Sequence, residues 1–412
     1  MTSEDWDWTD AKTRYLTFGL HDYPARMIPQ ISERLIKRYL LRNGFKDKNL
    51  LVVDPFCGSG SVLAQARLLN LNAFGNDVNP LAKLISEVHA TPIDVISFQD
   101  GLARFQRTLE DIIGSIARKD KRKIPIHEFP NNRHWFKDYV LTDLSLLRTV
   151  ILEQNSPEIR KFLNFCFSIT QFAVSNVDRG SSRFIRVLKP EALARHNPNV
   201  FEVFEKTRKL AAKRIIAFTK KINTENYTKI TLGDARKLNL GDESAAIVVT
   251  SPPYGEERNT ICYARWSKLS HYWLGYERDY LLDQAALALG TKSPTEIQSP
   301  SETALLLLEK VAQTDFKRAL QSVTFFEDYL KSLHEIARIL PPKRYACIVI
   351  GNRSIKRNIV DMNAVTIELA KQAGLEHLRT YFRTIPRKLI ASMTPTGATI
   401  NKENIIILQK KN

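Results

Sequence analysis

Apolar residues along the chain are grouped in two ways. Short runs dense in Val, Ile and aromatic residues, each stopped by glycine, proline or a polar cluster, fall at 51–54, 73–76, 229–232, 246–249, 344–351, 375–384 and 404–409, and each predicts a β-strand. Helical spacing predicts the rest. Ile31, Leu35, Ile36 and Tyr39 share one face of a helix, 62–69 reads as a helix after a glycine turn, and Leu141, Leu144, Leu147, Val150 and Ile151 mark another. Between 81 and 226 only helical periodicity is visible, after which strand and crossover alternate again. The simplest account is an α/β doubly wound parallel sheet, Rossmann-like, interrupted by a helical insertion of about 145 residues. The last two runs, joined through 385–402, predict an antiparallel hairpin closing one sheet edge. The predicted units are 1–85 as the first half of the sheet domain, 86–226 as the helical insertion and 227–412 as the second half.

The ends of two strands carry candidate chemistry. Leu51-Val52-Val53-Asp54-Pro55-Phe56-Cys57-Gly58-Ser59-Gly60-Ser61 runs from a strand through a glycine turn into a helix. Gly58 and Gly60 let backbone approach a ligand, and free N–H groups at the helix start favour a carboxylate or phosphate. A second strand ends at Asp77, followed by Asn79-Pro80, about twenty residues after the glycines, where an acidic group can accept both ribose hydroxyls of an adenosine. The glycine spacing matches neither a dinucleotide fingerprint nor a P-loop, which leaves a single-adenosine cofactor as the better fit.

Farther along, 245–249 closes on Thr250-Ser251-Pro252-Pro253-Tyr254. Chemistry in α/β enzymes sits at such C-terminal strand ends. Two prolines stop the strand and remove two N–H donors, so the backbone offers carbonyl acceptors beside the Ser251 hydroxyl and the Tyr254 ring. That set suits a planar base with an exocyclic amine; the same residues also serve as a plain rigid stop to a strand.

Composition narrows the partner. Lys and Arg number 61 against 44 Asp and Glu, giving a formal charge of +17, which favours a polyanion and places nucleic acid before an acidic membrane. No run of about 18 apolar residues and no charged-then-apolar start at Met1 is present, so a soluble cytoplasmic protein is expected. Cys57, Cys166, Cys262 and Cys347 show no Cys-x-x-Cys spacing, which argues against a disulfide framework or a zinc site.

Taken together, the motifs resemble those of S-adenosylmethionine-dependent DNA amino-methyltransferases, in which the glycine motif reads Asp-Pro-Phe-x-Gly-Ser-Gly and the catalytic motif reads Ser-Pro-Pro-Tyr in cytosine-N4 members. Tyr23-Pro24-Ala25-Arg26-Met27-Ile28-Pro29 resembles the family's extra cofactor segment, Leu232-Gly233-Asp234-Ala235 its third cofactor motif, and Tyr263, Ser267, Trp273 and Leu274-Gly275 the stretch after the catalytic loop. The resemblance implies a class I methyltransferase sheet, for which the terminal antiparallel hairpin is a hallmark. It implies S-adenosyl-L-methionine as cofactor, held by Tyr23, Ala25, Asp54, Pro55, Phe56, Gly58, Gly60, Asp77, Asn79, Asp234 and Ala235, with the Asp234 carboxylate facing the adenine amine. Catalysis would fall to Ser251, Pro252, Pro253 and Tyr254, without a metal. C5 methylation of cytosine, which in its own family uses a Pro-Cys thiolate, is disfavoured because no cysteine here follows a proline.

Double-stranded DNA is the expected partner, with the target cytosine flipped out against Tyr254. Phosphate contacts are expected from Lys121 and Arg122 in the basic run 118–123, from Arg179 and Arg183 in a polar loop, from Arg258, and from 206–221 and 279–313. Each run also reads as an ordinary solvated face. Gly351-Asn352-Arg353 either holds substrate backbone or turns the chain. The resemblance further implies a prokaryotic, nucleoid-associated enzyme of a restriction-modification system, with a possible cognate endonuclease, as monomer or dimer. Adenine N6 as target, an RNA substrate, and a catalytically silent nucleic-acid-binding protein remain the alternatives.

Overall fold

The structure, a computed structural model, describes residues 5–24, 26–44, 49–117, 125–178, 187–255, 263–292, 294–385, 393–394, 397–398 and 402–412. Its strands in chain order are β1 (Leu51–Asp54), β2 (Asn72–Asp77), β3 (Thr228–Leu232), β4 (Ile247–Thr250), β5 (Tyr345–Gly351), β6 (Arg353–Ile355), β7 (Asn358–Val360), β8 (Leu375–Thr384), β9 (Met393–Thr394), β10 (Gly397–Ala398) and β11 (Lys402–Lys410). The helices are α1 (Pro29–Tyr39), α2 (Ser61–Leu68), α3 (Pro80–Ala90), α4 (Val95–Ala117), α5 (Asn132–Trp135), α6 (Asp138–Leu152), α7 (Pro157–Val174), α8 (Pro190–Arg195), α9 (Val200–Thr219), α10 (Tyr263–Leu274), α11 (Arg278–Ala286), α12 (Glu302–Ile339) and α13 (Met362–Gln372).

All seven runs expected as strands join one sheet, in the order β3-β2-β1-β4-β5-β11-β8. Neighbours from β3 to β5 pair in parallel, and β11 runs antiparallel between β5 and β8. This is the expected doubly wound α/β arrangement, with the antiparallel pair β8–β11 at its edge. The order reverses beside β1, so β1 and β4 present their C-terminal ends at the switch point, where open α/β sheets bind ligands.

Side chains alternate across the pleat, and the core is split accordingly. Val53, Phe74, Val248, Ile348 and Ile406 face the helices α12 and α13. Val52, Ala73, Ile247, Val249 and Ile405 face the layer built by α1 and α2. A third core, with Phe105, Leu144, Phe165, Phe204 and Trp273, lies among the helices between β2 and β3 and includes α10. Within that stretch the described residues hold helices and one isolated bridge, Val177 to Val187.

Part of the charge expected to meet phosphates is used internally. Arg208, 7% exposed, is bound to Glu205 and Gln106, and Arg214 donates to the Phe18 carbonyl at 2.6 Å. Lys121, Arg122, Arg179, Arg183, Arg258 and Ala25 lie outside the described residues. Among the described residues, no helix is long and apolar enough to cross a membrane.

Candidate active site

The turn after β1 is shaped by two left-handed glycines and one carboxylate. Gly58 has φ +48° and Gly60 φ +74°, conformations that cost a residue with a Cβ. At Gly60 space forbids one as well, because an added Cβ would fall 2.7 Å from Ser86 Cβ and 2.8 Å from its Cα, on α3. Across the turn, the Asp77 carboxylate at the end of β2 accepts from Gly58 N at 2.9 Å and from Asn79 N at 2.8 Å. Burial pushes the Asp77 carboxyl up to about 6.

Asn79 is more than a cap. Its Oδ1 accepts from Leu81 N at 3.0 Å and from His271 Nε2 at 2.9 Å, while its Nδ2 donates to Ser267 Oγ at 2.8 Å and to Tyr23 Oη at 3.3 Å. Burial lowers the His271 pKa to about 4, so the ring is a neutral donor there. One amide therefore ties the upstream segment, the start of α3 and helix α10. His271 carries no motif signal; only its four-residue spacing from Ser267, on one face of a helix, hinted at a shared partner.

Asp54, 3% exposed, links the two motifs. Its Oδ1 accepts from the Thr250 hydroxyl at 2.6 Å and from Phe56 N at 3.1 Å. Burial dominates and raises its pKa to about 7, the Thr250 bond opposing that shift and the Asp77 charge adding to it. Thr250 is the last residue of β4, so this bond fixes the glycine turn against the start of Ser251-Pro252-Pro253-Tyr254.

A cavity of about 380 Å³ opens at this switch point. It brings together Tyr23, Asp54, Pro55, Phe56, Gly58, Asp77, Asn79, Ala235, Ser251 and Pro253 from segments far apart in sequence. Gly60, Pro252, Tyr254 and Asp234 are not in its wall. Gly60 instead packs on α3, and Pro252 is buried. The Asp234 carboxylate, expected to face an adenine amine, is held by Arg236 at 2.7 Å from Nη2 and 2.9 Å from Nε. Arg236 in turn reaches Asp328 at 2.7 Å. A guanidinium two residues downstream offers a bidentate partner, and the carboxylate takes it. Helix α11, expected to meet DNA, supplies a wall of this cavity through Leu281, Gln284 and Ala285.

The Tyr254 ring packs against the core on the α12 side, and its hydroxyl donates to Glu403 Oε1 at 2.7 Å. Burial, reinforced by the Glu403 charge, holds the phenol well above its usual pKa, so it stays protonated and a donor. Gly255 follows with no room for a side chain, since a Cβ would lie 2.5 Å from Arg353 Cζ. The Arg353 guanidinium lies 5.4 Å over the Phe325 ring, so Arg353 packs between α12 and the end of the 251–255 loop.

No family model matches the chain. Over 429 aligned residues, 98% of this chain and 92% of the relative, it is 29% identical to the type II methyltransferase M.MvaI of Kocuria varians. A shorter stretch of 77 residues, 19% of this chain and 13% of the relative, is 34% identical to the type II methyltransferase M.MjaII of Methanocaldococcus jannaschii. Among solved structures, an S-adenosylmethionine-dependent methyltransferase from Methanosarcina mazei aligns over 90% of this chain and 97% of its own, with a TM-score of 0.32 and 9% identity.

Proposed function

We propose that the chain is a site-specific DNA methyltransferase that moves a methyl group from S-adenosyl-L-methionine to the exocyclic N4 of a flipped-out cytosine. The observation that carries this reading is that Ser251 and Pro253 line the same cavity as Gly58 and Asp77. An acceptor suited to an amine and a pocket suited to an adenosine therefore share one space. Similarity to type II methyltransferases along 98% of the chain supports DNA as the substrate. The type II name also supports an endonuclease acting on the same site, and the +17 charge fits a polyanion.

The residues present fit the cofactor. The Asp77 carboxylate accepts ribose hydroxyls, the side-chain-free Gly58 lets the ligand approach the turn, and Asp54 places a second carboxyl beside a ligand that carries positive charge. Ala235 and Leu287 offer apolar surface for the adenine, while Asp234, bound to Arg236, is no partner for its amine in this arrangement. When bound, S-adenosylmethionine would supply an electrophilic methyl on a positively charged sulfur, and the amine proton displaced on methylation would pass to solvent.

The chain's own residues prepare the amine. An exocyclic amine is a weak nucleophile because its lone pair is delocalised into the ring. The Ser251 oxygen, in the cavity wall, accepts one N–H and favours a pyramidal nitrogen whose lone pair faces the methyl. This contact strengthens as positive charge grows on nitrogen, which is the differential stabilisation that lowers a barrier. The reaction also needs alignment of nitrogen, carbon and sulfur, and the Thr250–Asp54 bond contributes by fixing the loop to the cofactor turn.

The test is incubation with labelled S-adenosylmethionine and unmethylated DNA, digestion to nucleosides and mass spectrometry, with Ser251→Ala alongside. N4-methylcytosine, lost in the variant, is the expected result. N6-methyladenine would overturn the base, and label only in RNA would overturn the DNA substrate.

A further inference from the structure

Beyond β5 the chain forms a small hairpin that the reaction above leaves unused. β6 and β7 pair antiparallel, with Ile355 opposite Asn358, so that Lys356 and Arg357 make a two-residue loop. Such a loop places both central residues in the left-handed region, and Asn-Gly is the pair that suits it. Here it holds two cations instead, at φ +48° and +68°. Among the described residues no other two adjacent non-glycine residues share that conformation. Strain of this kind clusters at functional sites.

The hairpin is fastened at its base and open at its tip. Ile355 and Val360 are fully buried in the core on the α12 side. Asn352 Oδ1, just before β6, accepts from Met362 N at 3.2 Å and from Asn404 Nδ2 at 3.1 Å. At the tip, Lys356 Nζ is held by Asp315 Oδ2 at 2.8 Å, and the other oxygen of Asp315 accepts from Arg318 N at 2.9 Å where α12 is broken. Lys356 is thus already paired. Arg357 is exposed, and its guanidinium makes no hydrogen bond or ion pair among the described residues.

The hairpin also stands beside the catalytic loop. β5 pairs with β4 up to Thr250, opposite Ile348, so the hairpin leaves the same end of the sheet as 251–255. Arg353, the first residue of β6, packs against Gly255. A duplex whose target base enters the cavity past Ser251 brings its sugar-phosphate backbone toward this tip.

Resting on the methyl-transfer reading above, we propose that the β6–β7 hairpin is a DNA-contact element, in which the Arg357 guanidinium takes a backbone phosphate next to the flipped nucleotide. A phosphate contact fixes the register of the duplex against the catalytic loop and does not choose the sequence. The tight turn and the Lys356–Asp315 pair hold Arg357 in place, so little freedom is lost on binding.

The test is binding of a random-sequence duplex by fluorescence anisotropy over a range of salt, with methylation kinetics on unmethylated plasmid DNA beside it. Arg357→Gln should bind about fivefold more weakly and flatten the plot of log affinity against log salt by about one unit, the loss of one phosphate contact. KM for the plasmid should rise by about the same factor while kcat stays within about twofold. Lys371→Gln, at the other end of α13, removes an equal charge far from the hairpin and should change neither. Arg357→Gly relieves the turn, so it should melt no lower than the parent and yet bind DNA as weakly as Arg357→Gln, a separation that a purely structural role would not produce. Parental affinity and salt slope in Arg357→Gln, or losses no greater than those of Lys371→Gln, overturn the proposal. A parent protein that binds the duplex but forms no N4-methylcytosine overturns the function reading instead, and the binding series still decides the hairpin.

Discussion

Thr250→Val removes the hydroxyl that joins the two motifs while keeping the side chain's shape. Thr250 is fully buried and donates to Asp54 at 2.6 Å, and Asp54 has a pKa raised to about 7 by burial. A raised carboxyl pKa means that the ionised form costs stability at high pH, and that this cost is relieved as pH falls through about 7 toward the unfolded value. The Thr250 bond offsets part of the cost. A hydrogen bond to a charged group contributes about 1.5 to 3 kcal/mol and one to a neutral group about 0.5 to 1.5 kcal/mol. The new buried methyl adds roughly 0.8 kcal/mol of stability at any pH. At pH 8.5, with Asp54 ionised, the net loss should be about 1.5 kcal/mol; at pH 5.5, with it protonated, the loss should be close to zero. Urea denaturation of both proteins at both pH values, without cofactor, measures the difference directly, and the methyl contribution cancels in it. Equal losses at the two pH values, or a larger loss at pH 5.5, would refute the claim that this bond serves the ionised carboxylate.

Gly60→Ala should cost about 3 kcal/mol, from left-handed strain and from overlap with the α3 backbone at Ser86. It should lower the thermal midpoint, whereas Gly58→Ala, with its nearest neighbour at 3.3 Å on the Tyr23 ring, should act mainly on cofactor affinity. Because the Asp77 carboxyl titrates at about 6, calorimetric affinity for S-adenosylhomocysteine should be full above that pH and weaken below it. Asp77→Asn should bind weakly at every pH and flatten the profile. Trp273, 1% exposed and ringed by His127, Phe129, Phe136 and Phe167, should cost about 3 to 5 kcal/mol when replaced by Ala; a loss below about 1 kcal/mol would show that α10 does not anchor the helical core.

The sequence alone determined the strands, because each is a short apolar run with a stop, as strands buried on both faces are. The glycine turn, Asp77 and the Ser-Pro-Pro-Tyr loop were equally legible, since each rests on residue types that few other local structures require. Helix α12 was not placed: its 38 residues are apolar on one side and charged on the other, but a break at Asp315, with φ −155° and ψ 81°, interrupts the periodicity. Tertiary structure decided the pairings. The fold binds the Asp234 carboxylate to Arg236, which itself pairs with Asp328. Asn79 could not announce His271, nor Asp54 announce Thr250, 196 residues away. Nothing local links Glu403, 149 residues away, to Tyr254. A side chain's chemistry is written in its type, but its partner is set by which strands the fold lays side by side.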